Sequence, residues 1–375
     1  MILYTGVATV TVLLAFLVDN KTPVKQYGFS RQQVLNMLSL LSVFLILFAV
    51  SALRVNVGND YAKYVEFFHL NRCRLDTDSA VVPTEAGFNI LCIAIYLLSG
   101  RTENYLLMFA VFAFATIFFF MKAIYEQADS FGMSFLMFMC LGYYFQSFST
   151  VRYYFALALA VYAIPFVLRR EWAKFILIAI FGAFFHKSML VIIPLYFLAQ
   201  WAFKKWQIAI AAVFCGSLVV FKDFYLALFL KLYPTYEETE YLSAGTSLIN
   251  ILRCGVILVF SLIMYKRLIA GDRKMSFYFY CNLGALAVYC CCFYIPAISR
   301  LGYYLNITHI FFLPALIEGV SNEKLKKLLK VGMILALILY FAVFILMKAE
   351  SNGLRILPYQ TFLFHDMVDI LSDVT

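Results

Sequence analysis

Five short stretches hold most of the side chains able to do chemistry: "RVNVGNDY" (54–61), "STVRYY" (149–154), "FFHKS" (184–188), "IPAISRLGYY" (295–304) and "LRILPYQTFLF" (354–364). Arg54, Arg152 and Arg300 supply planar guanidinium forks, which grip phosphate oxygens two at a time. His186 has the side chain whose ordinary pKa suits proton transfer near neutral pH, and Asp60 is a second candidate base. Tyr61, Tyr153, Tyr303 and Tyr359 stand beside these groups and are candidate walls for a sugar-bearing ligand. Together the set suits an anionic, phosphate-bearing ligand handled without a metal.

Each residue also has a plainer reading. Arg54 and Asp60 could be an interfacial anchor and a helix cap. Arg152 and Arg300 could snorkel to a membrane surface. Arg152 opens a long apolar run, where a positive charge opposes the helix macrodipole by a few tenths of a kcal/mol. Arg253, inside an apolar run, calls for a cavity or a carboxylate. No H-x-x-x-H pair, Gly-rich nucleotide loop or G-x-S-x-G elbow occurs. The nine cysteines form no C-x-x-C pair, so neither a disulfide framework nor a zinc site is indicated, and the 290–292 triplet reads as small apolar filler.

The elements that must position these residues are membrane helices. Of the 375 residues, 64% are hydrophobic and 14% charged, far from the balance of a soluble domain. Apolar runs long enough to cross a bilayer recur from end to end, without the alternating ten-residue strands of a β-barrel. The fold class is therefore an all-α polytopic membrane protein with about 12–14 transmembrane helices. The first run has no basic residue before its apolar core and reads as a retained helix rather than a cleaved signal. The whole chain, 1–375, forms one transmembrane domain.

Charge assigns the sides. The loop at 19–32 and "RREWAK" (169–174) serve as cytoplasmic anchors. Alternating outward from them gathers the basic excess on one side, as the positive-inside rule requires. The net charge of +9 is then topology, and nucleic acid is excluded as a partner. Both anchors agree only if 55–103 begins and ends outside, so the apolar stretch 86–99 is a re-entrant or short helix, or one of a pair of crossings. On this threading 52–103, 222–246 and 348–375 form the external face. All five chemical stretches land on the external side. The tyrosines of 222–246 fit an interfacial belt or a platform for sugar rings.

The motifs resemble those of the EpsG-like proteins, related to Wzy-type bacterial polysaccharide polymerases. "LRVNVGNDYAKY" (53–64), "EAGFNIL" (85–91), "VRYYFALALAVYAI" (151–164), "AFFHKSMLVIIPLYFL" (183–198), "SRLGYY" (299–304) and "LPY" (357–359) resemble that family's elements in order. Tyr153 departs from the Gln that many members carry after the arginine. The resemblance implies a GT-C-like, metal-independent glycosyltransferase in the bacterial cell membrane, without a cofactor. It would move a growing glycan from undecaprenyl pyrophosphate to a sugar hydroxyl of an incoming lipid-linked repeat unit, on the external leaflet. Arg54, Arg152 and Arg300 would then meet the pyrophosphate, and His186, or Asp60, would take the acceptor proton. Flippase and chain-length regulator proteins are the implied protein partners. Two other readings stand beside it: an O-antigen-ligase-like or single-sugar polyprenyl-linked transferase, and a lipid-linked oligosaccharide flippase. A transporter would spread polar residues along a midplane cavity, whereas here they cluster at one face.

Overall fold

A computed structural model describes residues 1–23, 28–77, 82–201, 203–232, 247–295, 298–350 and 354–365. In chain order the helices are α1 (Ile2–Phe16), α2 (Arg31–Ala52), α3 (Tyr61–Thr77), α4 (Ala86–Leu98), α5 (Tyr105–Gln127), α6 (Phe131–Cys140), α7 (Tyr143–Gln146), α8 (Val151–Leu168), α9 (Trp172–Ala183), α10 (Ile192–Leu198), α11 (Lys205–Val220), α12 (Lys222–Leu232), α13 (Leu248–Ile263), α14 (Arg273–Cys291), α15 (Ile298–Asn306), α16 (His309–Glu318) and α17 (Glu323–Met347). The described residues hold no strand, only an isolated antiparallel bridge between Arg54 and Thr361. This is the all-α polytopic membrane architecture expected from the apolar runs.

Four helices, α2, α5, α8 and α17, are long and apolar enough to cross a membrane. At 22 residues, α2 is about 33 Å long, against a hydrocarbon core of about 30 Å. α11 and α12 pass the same test as a pair bent by 82°. Most of the other expected crossings are helices of 10–17 residues, or broken pairs such as α6–α7 and α15–α16. The apolar residues after the "FFHKS" stretch form a 3-10 turn, Lys187–Val191, followed by the seven residues of α10. The expected external loop 222–246 begins with α12, and its remainder from 233 lies outside the described residues. The stretch at 86–99 is the short helix α4, whose 13 residues reach about 20 Å.

Polar residues at the boundaries start the long helices. Ser30 and Gln33 cap α2 reciprocally: Gln33 N donates to Ser30 Oγ at 3.1 Å and Ser30 N to Gln33 Oε1 at 2.7 Å. Asn104 Oδ1 accepts from Leu107 N at 3.1 Å to start α5, and Asn322 Oδ1 accepts from Lys324 N and Leu325 N to start α17.

The chain divides into two compact units. The first comprises Met1–Tyr162, Leu177–Met189 and Ser321–Thr375. All ten residues of α6 are buried in it, with α1, α5 and α17 packed around them. α2 lies along α1 and α5, and α4 packs on both α3 and α5. Tyr144 OH donates to Leu47 O at 2.7 Å, tying α7 to α2. The second unit comprises Ala163–Ile176 and Leu190–Val320. It is built on α14, which touches α10, α11, α13, α15 and α16. Inside it Asn282 Nδ2 donates to Cys254 O at 3.1 Å, and Asn282 Oδ1 lies 2.8 Å from His309 Nε2. Arg253 finds an amide there, its Nη2 donating to Asn250 Oδ1 at 3.0 Å.

Candidate functional site

Arg54 follows the last turn of α2 and turns inward. It is 2% exposed. Its Nη1 donates to the Ser51 carbonyl and, at 3.1 Å, to Ser51 Oγ. The guanidinium lies 5.0 Å from the Phe109 ring centroid and 4.9 Å from that of Phe148. Desolvated cation–π contacts of this kind contribute about 2 kcal/mol. Burial pushes its pKa down, while the oxygens of Tyr61, Tyr144, Tyr4 and Tyr359 push it up. The expected surface clamp is thus a buried pin, sealed by rings that come from α5 and from the turn before α8.

The loop after it is fixed by the end of the chain. Val55 N donates to Gln360 O at 3.0 Å, Gly58 N to Arg355 O at 2.8 Å, Asn59 N to Leu354 O at 3.0 Å, and Phe362 N to Leu53 O at 3.2 Å. Tyr359 OH donates to Val50 O at 3.0 Å and Tyr4 OH to Ile356 O at 2.6 Å. Gly58 has φ +107°, and a Cβ there would stand 2.1 Å from Phe148 O. Only glycine lets these two backbones meet. Tyr61 then starts α3, fully buried and stacked on Phe109 at 4.3 Å between centroids. Asp60, half-buried, faces the Tyr64 hydroxyl; burial raises the pKa of Tyr64, Arg152 lowers it and Asp60 raises it.

Arg152, in the first turn of α8, sits over the rings of Phe88 (5.1 Å), Tyr64 (5.7 Å) and Phe67 (5.8 Å). Its Nη1 pairs with Glu85 Oε2, the side chains being 15% and 20% exposed. Glu85 is the N-cap residue of α4, yet its carboxylate makes no cap bond to that helix. Instead Oε1 accepts from Lys187 N at 3.2 Å. Two residues on, Gly87 N donates to Phe184 O at 2.8 Å, and a Cβ on Gly87 would stand 2.7 Å from that oxygen. The "EAGF" stretch therefore has three tasks: Glu85 meets Arg152, Gly87 lets the "FFHKS" turn approach, and Phe88 floors the guanidinium. Glu85 was not among the residues expected at the site. The signal for it was a carboxylate directly before a short apolar helix, with Gly two positions later.

His186 belongs to the same turn. Its Nδ1 lies 2.7 Å from Ser188 Oγ, and its ring meets that of Tyr153 edge-on at 5.4 Å. Arg152, Glu85, the Lys187 amide, His186 and Tyr153 thus form one connected group within the first unit. It combines a cation held by a displaceable carboxylate with an imidazole oriented by a hydroxyl. Such a group can bind an oxyanion and move a proton beside it.

Four of the five stretches singled out in the sequence meet here. Arg300 and Tyr303, both half-buried, belong to α15 in the second unit. Pro296 lies outside the described residues. Asp76 and Asp78 have D-x-D spacing; Asp76 accepts from Tyr96 OH at 2.8 Å, and Asp78 lies outside the described residues. Among the described residues no group of three or more His, Cys, Asp or Glu is placed to hold a metal ion.

The model of the EpsG family matches residues 37–361. This chain belongs to the EpsG family. The matched region runs from the first third of α2 to the residue that bridges Arg54, so the EpsG match takes in Arg54, Glu85, Arg152, His186, Arg300 and Tyr359. Membership of the EpsG family, with helices of crossing length, makes this a membrane protein of polysaccharide-polymerase-like role. No curated protein and no solved structure matches the chain.

Proposed function

We propose that this protein is a glycosyltransferase of the Wzy type. It transfers a nascent glycan from undecaprenyl pyrophosphate to a sugar hydroxyl of an incoming lipid-linked repeat unit. The observation that carries the reading is the Arg152–Glu85 pair beside His186: a partly exposed cation whose anionic partner a phosphate can replace. In the resting protein Glu85 holds Arg152 over its three rings. The donor pyrophosphate takes the place of Glu85 on the guanidinium. As the anomeric C–O bond breaks, negative charge grows on the pyrophosphate, and fixed cations favour that change. The acceptor hydroxyl forms the new C–O bond and gives its proton to His186, whose ring Ser188 orients. Undecaprenyl pyrophosphate leaves as the anion.

Arg54 acts at one remove in this scheme, holding the 55–61 loop and the Phe148 turn against each other. Asp60 organises the Tyr64 hydroxyl, which accepts from Arg152 N at 3.4 Å. Tyr61, Tyr153 and Tyr359 shape the walls. The basic excess of the opposite loops supports an extracytoplasmic site in a bacterial cell membrane.

The test is Arg152→Ala and His186→Ala in the native host at matched protein levels. Lipid-linked single repeat units are expected to accumulate on the outer leaflet while polymer disappears. Normal polymer in both variants overturns the site. Repeat units trapped on the inner leaflet would show a flippase instead.

A further inference from the structure

A second cluster lies on α3, outside the machinery assigned above. His69, Arg72 and Cys73 stand at i, i+3 and i+4 and so share one helix face. Glu103, in the turn before α5, accepts from Arg72 Nε at 2.9 Å and lies 2.9 Å from His69 Nδ1. The other ring nitrogen, Nε2, is 3.5 Å from Cys73 Sγ, and Arg72 Nη2 is 3.8 Å from the same sulfur. A carboxylate on Nδ1 keeps the proton there and turns the lone pair of Nε2 to the thiol. This is the order nucleophile, base, orienting acid, with a guanidinium added next to the sulfur. Cationic neighbours favour the thiolate, the reactive form.

We propose that Cys73 is a nucleophilic modification site, built to exchange with a low-molecular-weight disulfide. The sulfur gives its proton to His69 Nε2 and attacks one sulfur of the small disulfide. The Cys73–S bond forms as the S–S bond breaks. The departing thiolate leaves with the electron pair and takes the proton back from His69. One thiol and one disulfide become one mixed disulfide and one thiol, without an external oxidant. Cys73 and His69 are half-buried, the His69 side chain being 22% exposed, so a small reactant fits the site better than a protein. Among the described residues, the charged groups placed around the sulfur are Arg72 on α3 itself and Glu103 in the turn. Tyr96 of α4, near Arg72, is engaged with Asp76 and lies close to Arg101.

The experiment uses the full chain in lipid nanodiscs with oxidised glutathione at pH 7, read by site-resolved mass spectrometry. Cys290, exposed at the end of α14, is the internal reference. Cys73 is expected to form the mixed disulfide about tenfold or more faster than Cys290. His69→Gln should bring Cys73 down to the Cys290 rate, and Glu103→Gln part of the way. Equal rates at the two cysteines in the unaltered chain overturn the proposal without recourse to any variant. So does a His69→Gln protein that keeps the fast rate.

Discussion

Removing the carboxylate that holds Arg152 separates a structural ion pair from a ligand-binding cation. At an effective dielectric near 20, opposite charges about 4 Å apart attract by about 4 kcal/mol, and desolvation offsets much of this. For side chains 15% and 20% exposed, a net contribution of about 2–3 kcal/mol follows. Glu85→Gln keeps an acceptor for the Lys187 amide but removes the charge, so it should cost about 1–2 kcal/mol of stability. It also removes the competitor for phosphate, so the apparent KM for lipid-linked donor should fall about five- to tenfold, which corresponds to about 1–1.4 kcal/mol. Arg152→Ala leaves a carboxylate without its cation and should cost about 2–3 kcal/mol, with polymerisation lowered by about two to three orders of magnitude. The double variant should recover about 1–2 kcal/mol of the summed stability loss, yet none of the activity. Reversible unfolding in mixed micelles reads the first quantity. Chain extension from purified lipid-linked repeats reads the second. A double variant polymerising within a few-fold of the unaltered protein would refute the phosphate role and leave Arg152 as a strut.

Further outcomes follow from the geometry. Gly58→Ala forces a Cβ against Phe148 O at a backbone angle alanine resists, so the folded yield in detergent should collapse. Gly332→Ala, inside α17 with nothing within 4 Å of the added carbon, should instead raise the midpoint of thermal unfolding, by about 0.5–1 kcal/mol in stability. Tyr359→Phe deletes one hydrogen bond, to Val50 O, and should cost about 1 kcal/mol while protease cleavage within 354–365 speeds up. Ser188→Ala removes the hydroxyl beside His186 Nδ1, and chain extension should fall about tenfold or more with little change in donor KM.

The membrane helices were legible because apolar runs report burial in lipid wherever they occur. Where those runs break was not. α6 ends at Cys140 just before Gly142, whose φ is +79°, and α15 ends at Asn306 just before Thr308 and His309, marks too slight to announce a break inside an otherwise apolar run. No proline marks the 82° bend between α11 and α12. At the site, Arg152 and His186 stood out by type. Glu85 did not, because its partner is 67 residues away and no local spacing announces it. Arg54 stood out by type as well, but its burial did not, because Phe109 and Phe148 close over it from distant parts of the chain.

The backbone amides of Val55, Gly58 and Asn59 all find their acceptors in residues 354–360. This has a consequence for biogenesis. A ribosome finishes the loop that carries Arg54 roughly three hundred residues before it makes the segment that locks the loop. Through most of translation and membrane insertion the protein therefore lacks the segment that fixes this loop of its candidate site. A chain stopped short of residue 354 is expected to enter the membrane with the loop unanchored and to make no polymer.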